Sequence, residues 1–259
     1  MTAVAVAVQG QGPALVLLHA FPLHAGMWTA QTALGEHCTL IMPDLPGFGR
    51  SRDLPAVANL DNLAEAVRAA VRRQGFERAM VAGCSLGGYL AFALLRRAPE
   101  FVSALALIDT RSGADSPEAK ERRYATIERV KREGVSFLRE EWPKSALSPL
   151  TFQERPAVVD AVRDLISEAT PAGVIGALQA MADRPDATPQ LASIRVPTVV
   201  MHGLDDSLIS ASEARLMANG INGAKFLAVP GAGHLPNMEQ SESVTKALRE
   251  LRMAVEYAE

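Results

Sequence analysis

The sequence predicts an α/β protein: a mostly parallel central sheet flanked by helices, with a helical insertion in its second half. Three observations carry that expectation. Short apolar runs alternate with amphipathic helical stretches up to residue 110 and again from residue 190, as they must when parallel strands are joined by crossover helices. Between those blocks the strand signal disappears and charged helical stretches take over. The chain has 259 residues and is 48% hydrophobic, enough for one large domain with an inserted subdomain.

The elements follow in order. Opening strands fall at 2–8 and 14–19, joined by the turn-like Gln9-Gly10-Gln11-Gly12-Pro13, and a third at 38–42 is stopped by Pro43. A helix over 59–74 sets Leu60, Leu63, Ala64, Val67, Ala70 and Val71 on one face. Gly75 stands just past its end, where glycine commonly closes a helix. A strand over 79–83, a helix over 86–97 and a strand over 104–108 come next. From 111 to 189, charge is dense, as in Glu118-Ala119-Lys120-Glu121-Arg122-Arg123, and Pro143, Pro149, Pro156, Pro171, Pro185 and Pro189 punctuate three or four helices. This segment reads as an insertion over one edge of the sheet, where ligand crevices of open α/β sheets occur. The alternation resumes with a strand over 196–202, a helix near 212–218, a strand over 225–229 and a closing helix from 241.

Composition narrows the function. A formal net charge of −3 gives no electrostatic case for nucleic acid. No apolar run approaches the ~20 residues that span a membrane. The first residues alternate and lack a basic flank, so they read as a strand and not a signal peptide; a cytoplasmic location is the default expectation. Cys38 and Cys84 fit neither metal spacing nor a disulfide framework and read as packed thiols. No metal and no cofactor are expected.

Gly83-Cys84-Ser85-Leu86-Gly87 has the form G-x-S-x-G, entered by an apolar strand and left by an apolar helix. Small residues around the serine let so sharp a turn close, and the helix N-terminus behind it favours developing negative charge. Ser85 is therefore the candidate nucleophile, and Cys84, one place earlier, points inward. Serine needs a base that titrates near neutrality. Of the five histidines only His234, in Pro230-Gly231-Ala232-Gly233-His234, follows the serine on a glycine-rich loop past a strand; His202 reads as a core histidine. A carboxylate should orient that imidazole. Asp206 and Asp205 qualify, at the turn after a strand, and so does Asp109, at the end of the strand following the nucleophile helix. The backbone N–H groups of Phe21 and Leu86 are candidate oxyanion donors. The loop from Pro43 to Ser51 reads as a turn without chemistry. In the insertion, Trp142, Leu147, Val174 and Leu178 are candidates for the substrate pocket.

Five segments in this order, LLHAFPLHAGMW, PDLPGFGRS, GCSLGGYLAFALLRRAPE, VPTVVMHGLDD and PGAGHLPNMEQ, resemble the α/β-hydrolase superfamily of esterases, enol-lactonases and related enzymes. They cover nearly the whole chain outside the insertion. The resemblance implies the α/β-hydrolase fold, with 1–110 and 190–259 as its core and 111–189 as a helical cap subdomain. It implies Ser85, Asp206 and His234 as a catalytic triad, in the chain order of that superfamily, and Phe21 and Leu86 as the oxyanion hole. One departure stands out: the family usually has His-Gly before the oxyanion residue, and this chain has His19-Ala20, where alanine allows fewer backbone conformations. The implied activity is hydrolysis of a small-molecule carboxylic ester through an acyl-enzyme. An enol-lactonase or perhydrolase would share triad and fold, and a non-catalytic binder on this scaffold would commonly lack a triad member.

Overall fold

The computed structural model describes residues 3–256; Thr2, where the opening strand was expected to begin, lies outside them. Seven strands form one sheet among the described residues: β1 (Val6–Gln9), β2 (Ala14–Leu18), β3 (Thr39–Pro43), β4 (Ala79–Cys84), β5 (Val102–Ile108), β6 (Thr198–Gly203) and β7 (Lys225–Val229). Their order is β1-β3-β2-β4-β5-β6-β7, with β1 antiparallel to β3 and every other pair parallel. β2, β3, β4 and β6 are buried at every position. They read as continuous apolar runs because both faces of a parallel sheet are covered. The edge strands β1 and β7 are only partly buried.

Winding reverses at β2, which has β3 on one side and β4 on the other. In open α/β sheets such a reversal opens a crevice at the carboxyl ends of the strands. Leu18 of β2 pairs with Gly83 of β4, so the loop carrying Phe21 and the turn carrying Ser85 emerge side by side.

Helices α1 (Leu60–Arg73) and α2 (Leu86–Arg97) pack on each other, and the Asn59 side chain accepts from the Asn62 N–H to start α1. Five α-helices lie between β5 and β6: α3 (Pro117–Glu133), α4 (Ser136–Ala146), α5 (Pro149–Glu154), α6 (Pro156–Ser167) and α7 (Pro171–Ala182). This exceeds the three or four expected, because α5 is a short helix between two prolines. Three of the five begin at a Ser/Thr-Pro pair: Ser116, Ser148 and Thr170 each accept from a backbone N–H three residues on, with proline in the first turn. Pro143 lies inside α4, not between helices. The chain ends in α8 (Ala211–Gly220), α9 (Pro236–Glu239) and α10 (Ser241–Glu256), the last packing on β5 and β6.

The 3-10 helix Ala25–Glu36 was not anticipated. Ala25, Trp28, Gln31 and Leu34 are buried at intervals of three, the 3-10 period, and the polar Gln31 breaks the apolar signal. Gln31 donates through Nε2 to the Asn237 carbonyl at 3.0 Å. Ile127, Val130, Leu138, Val162 and Val174 of the insertion join the sheet residues in one core. No helix of the described residues is long and apolar enough to cross a membrane.

Candidate active site

Ser85 sits between β4 and α2 with φ of 52°, a left-handed conformation uncommon for a residue with a side chain. The surrounding backbone holds it there. Its N–H donates to the Ile108 carbonyl at 2.9 Å, and its carbonyl accepts from Gly88 N–H and Thr110 Oγ1, each at 2.9 Å. A Cβ on Gly83 would come within 2.2 Å of the Gly87 carbonyl oxygen, and one on Gly87 within 2.3 Å of the Leu18 carbonyl oxygen. Only glycines let the turn close against β2. Cys84 is fully buried, its thiol directed at the His234 carbonyl at 3.6 Å. Burial pushes that thiol well above its ordinary range, so it stays protonated and is a poor nucleophile.

His234 follows β7 on the loop expected for it. Its Nδ1 lies 2.8 Å from Oδ2 of Asp206, and the two side chains are 3% and 0% exposed. Asp206 occupies the turn after β6, where its Oδ1 accepts from the N–H groups of Leu208 at 2.8 Å and Ile209 at 3.2 Å. Burial disfavours the imidazolium, but the charge and hydrogen bond of Asp206 outweigh it and raise the His234 pKa. Burial likewise opposes ionisation of Asp206, yet the His234 charge and hydrogen bond and the Leu208 N–H hold its pKa below the usual carboxylate value.

The other two carboxylates are placed differently. Asp205 is exposed. Asp109 is fully buried with φ of 41°; its Oδ1 accepts from Gly203 N–H at 2.9 Å and lies 3.1 Å from His202 Nδ1. Burial, reinforced by the Asp206 charge, raises its pKa well above the usual carboxylate value. His202 is buried and its pKa is lowered by that burial, as befits a core histidine. Asp109, Asp206 and His234 offer atoms within 4.8 Å of one another. Asp206 already bonds the imidazole and Asp109 already accepts from Gly203 N–H, which makes the cluster a weak cation site.

Glu239 is a residue that sequence reasoning missed. Fully buried, it accepts through Oε1 from Gly233 N–H at 3.0 Å and Leu235 N–H at 3.2 Å, on both sides of His234. Through Oε2 it accepts from Ser148 N–H and Thr151 Oγ1, both at 2.7 Å. It thereby ties the histidine loop to α5. No local pattern connects positions 148, 151, 233, 235 and 239.

Phe21 and Leu86 stand at the ends of adjacent strands, Leu86 as the first residue of α2. The Ala20 departure is harmless to the backbone. Ser85 and Asp109 are the non-glycine residues with positive φ among those described, so Ala20 needs no glycine-like conformation. His19 fixes this loop: burial lowers its pKa to about 4, Nδ1 meets the Ala20 carbonyl at 3.0 Å, and Nε2 accepts from Leu45 N–H at 3.0 Å. The loop from Pro43 to Ser51 is held by buried Asp44, which accepts from Ala25 N–H at 2.8 Å and Arg50 Nε at 2.7 Å.

A cavity of about 550 Å³ is lined by Phe21, Ser85, His234, Trp142 and Leu178 together with other residues of the insertion. The Trp142 ring stands edge-on to His234 at 6.4 Å. Leu147 and Val174 are not at this cavity, a correction to the sequence expectation; they are 4% and 0% exposed in the core. Leu147 stands past the last residue of α4, and for Val174 the reason lies in how α7 runs. Its N-terminal end is pinned to the loop after β3 by the Thr170 N–H donating to the Gly47 carbonyl at 2.9 Å, so Val174 packs inward and only the later turns bearing Leu178 reach the cavity.

The family model described as alpha/beta hydrolase fold matches residues 13–241. A pimeloyl-[acyl-carrier protein] methyl ester esterase of Nitrosomonas europaea is 30% identical over 249 residues, covering 91% of this chain and 94% of its own. Among solved structures, a thermophilic esterase from Thermogutta terrifontis, solved with malate bound, matches with a TM-score of 0.93 at 40% identity, over 97% of this chain and 93% of that one. The enol-lactonase from Burkholderia xenovorans LB400 shares the fold, with a TM-score of 0.89 at 24% identity over 96% of each chain.

Proposed function

The chain belongs to the α/β-hydrolase fold family, and from that premise we propose that it is a serine hydrolase cleaving carboxylic esters through an acyl-enzyme. One observation carries the reading: Ser85, on a strained turn, opens onto the same cavity as an imidazole whose Nδ1 is held by a buried carboxylate.

The chemistry follows from that tautomer. With the Nδ1 proton donated to Asp206, Nε2 of His234 is left as an acceptor for the Ser85 hydroxyl proton. The serine oxygen attacks the ester carbonyl, and the negative charge that develops is met by the N–H groups of Phe21 and Leu86. His234 then returns its proton to the departing alcohol, leaving an acyl-serine. Water, deprotonated by the same imidazole, attacks this acyl group, and Ser85 is regenerated as the acid leaves. Trp142 and Leu178 supply apolar wall. The relatives named above as esterases, one of them 40% identical, support hydrolysis of an ester.

The test is turnover of an ester panel of rising acyl length, beside a lactone, by wild type and Ser85→Ala. Wild type should hydrolyse the esters, and the variant should lose on the order of 10⁶ in turnover, as triad knockouts do. A folded Ser85→Ala protein within about tenfold of wild type would sink the mechanism.

A further inference from the structure

The chain carries a formal net charge of −3, yet Arg111, Arg122, Arg123 and Arg129 line the cavity that holds Ser85 and His234, with Glu141 the single acid among them. Arg129 is neutralised where it stands, donating to both oxygens of Glu141 at 2.8 Å and to Glu133 at 2.9 Å. Arg111 and Arg123 are not. Both converge on Asp115, and Arg184 reaches the same carboxylate at 2.8 Å. Three guanidiniums around one carboxylate leave a surplus of two positive charges.

That surplus is poorly hydrated. The side chains of Arg184, Arg123 and Arg111 are 3%, 19% and 22% exposed, and that of Asp115 is fully buried. Glu213 attracts Arg111 only from farther off. Donor capacity is also unused. Nε of Arg111 is buried with no partner, and Nη1 of Arg123 meets only the Met181 sulfur at 3.4 Å, a weak acceptor. Arg184 stacks over the Tyr89 ring at 4.1 Å, and Tyr89 lines the cavity.

From the pairing of Arg111 and Arg123 we infer a carboxylate-binding subsite in the wall of the ester cavity. The favoured substrate is then an ester carrying a free carboxylate remote from its scissile bond. This inference rests on the esterase reading of the same cavity. Guanidinium forks match a carboxylate in geometry as well as charge, and one anion would take up the donors that Asp115 leaves free. Arg111 follows β5 by three positions and Arg123 stands on α3, so such an anion would tie the start of the insertion to its first helix while its ester group faces Ser85.

The experiment compares kcat/KM for monomethyl glutarate with dimethyl glutarate, and for O-acetyl glycolate with its methyl ester, on wild type, Arg123→Gln and Arg111→Gln. The first pair puts the carboxylate on the acyl side, the second on the alcohol side. In at least one pair, wild type should prefer the anionic ester by about tenfold or more, the least that one charge-assisted hydrogen bond supplies. Either variant should lower that ratio by about tenfold, chiefly through KM. Free glutarate should inhibit wild type competitively where neutral glutaramide does not, a readout that holds even if a variant fails to fold. A wild-type ratio at or below one in both pairs, or equal inhibition by the two compounds, overturns the subsite. If wild type hydrolyses none of the four esters, it is the esterase reading that fails.

Discussion

Asp109 and Asp206 lie close to the same imidazole, and their surroundings shift their pKa values in opposite directions. His234 and a backbone N–H hold the Asp206 pKa below the usual carboxylate value, whereas burial beside that charge raises the Asp109 pKa. Asp206→Asn should therefore lower ester turnover by on the order of 10⁴, because the imidazole then favours the wrong tautomer. Asp205→Asn should leave turnover unchanged. Asp109→Asn should also keep most of it, since the amide oxygen can still accept from Gly203 N–H. A dead Asp109→Asn beside an active Asp206→Asn would reverse the assignment. The pH profile follows from His234, which must be neutral to accept the serine proton. Its pKa is raised above 6.5, so activity should be complete at alkaline pH and fall away as pH drops through a midpoint above that value. An initial-rate profile flat from about pH 5 to 8 would count against a histidine base. At this scale Ser85, His234 and Asp206 were legible because each stands in a short motif beside a strand end. The choice among three aspartates needed the resemblance, since tight turns direct neighbouring side chains apart in ways that spacing does not encode.

Within single elements, the strands were legible wherever burial on both faces makes an apolar run, and α1 wherever its face repeats at helical spacing. Ala25–Glu36 was not, because its period is three and a buried glutamine interrupts it. Glu239 was invisible for a different reason: its four donors come from α5 and the histidine loop, far apart in sequence. Glu239→Ala would strand three buried N–H groups and a hydroxyl, at about 1–3 kcal/mol for each group left unmatched. Chemical denaturation should show a loss of roughly 3 kcal/mol or more, and a loss below roughly 1 kcal/mol would contradict the clamp. In the insertion, Trp142→Ala and Leu178→Ala should shift acyl-length preference, as both face the cavity. Leu147→Ala should instead lower stability by about 2–5 kcal/mol and leave that preference in place. The four were alike in sequence; the anchoring of α7 through Thr170 separates Val174 from Leu178, and Leu147 stands just past the end of the helix α4 that carries Trp142.

Across the whole molecule, the reversal of strand order at β2 sets Phe21 beside Ser85, while β6 and β7 bring Asp206 and His234 to the same end of the sheet. The insertion covers that end and shares its core, so one cavity holds apolar wall, arginines and the candidate nucleophile. The central claim is that Ser85 is that nucleophile, and covalent labelling tests it most directly. Wild type, treated with a fluorophosphonate and digested, should carry a single adduct on the peptide containing Ser85. Ser85→Ala should take up none, and His234→Ala should react far more slowly. An adduct on any other residue, or none on a folded protein that hydrolyses esters, would contradict the account.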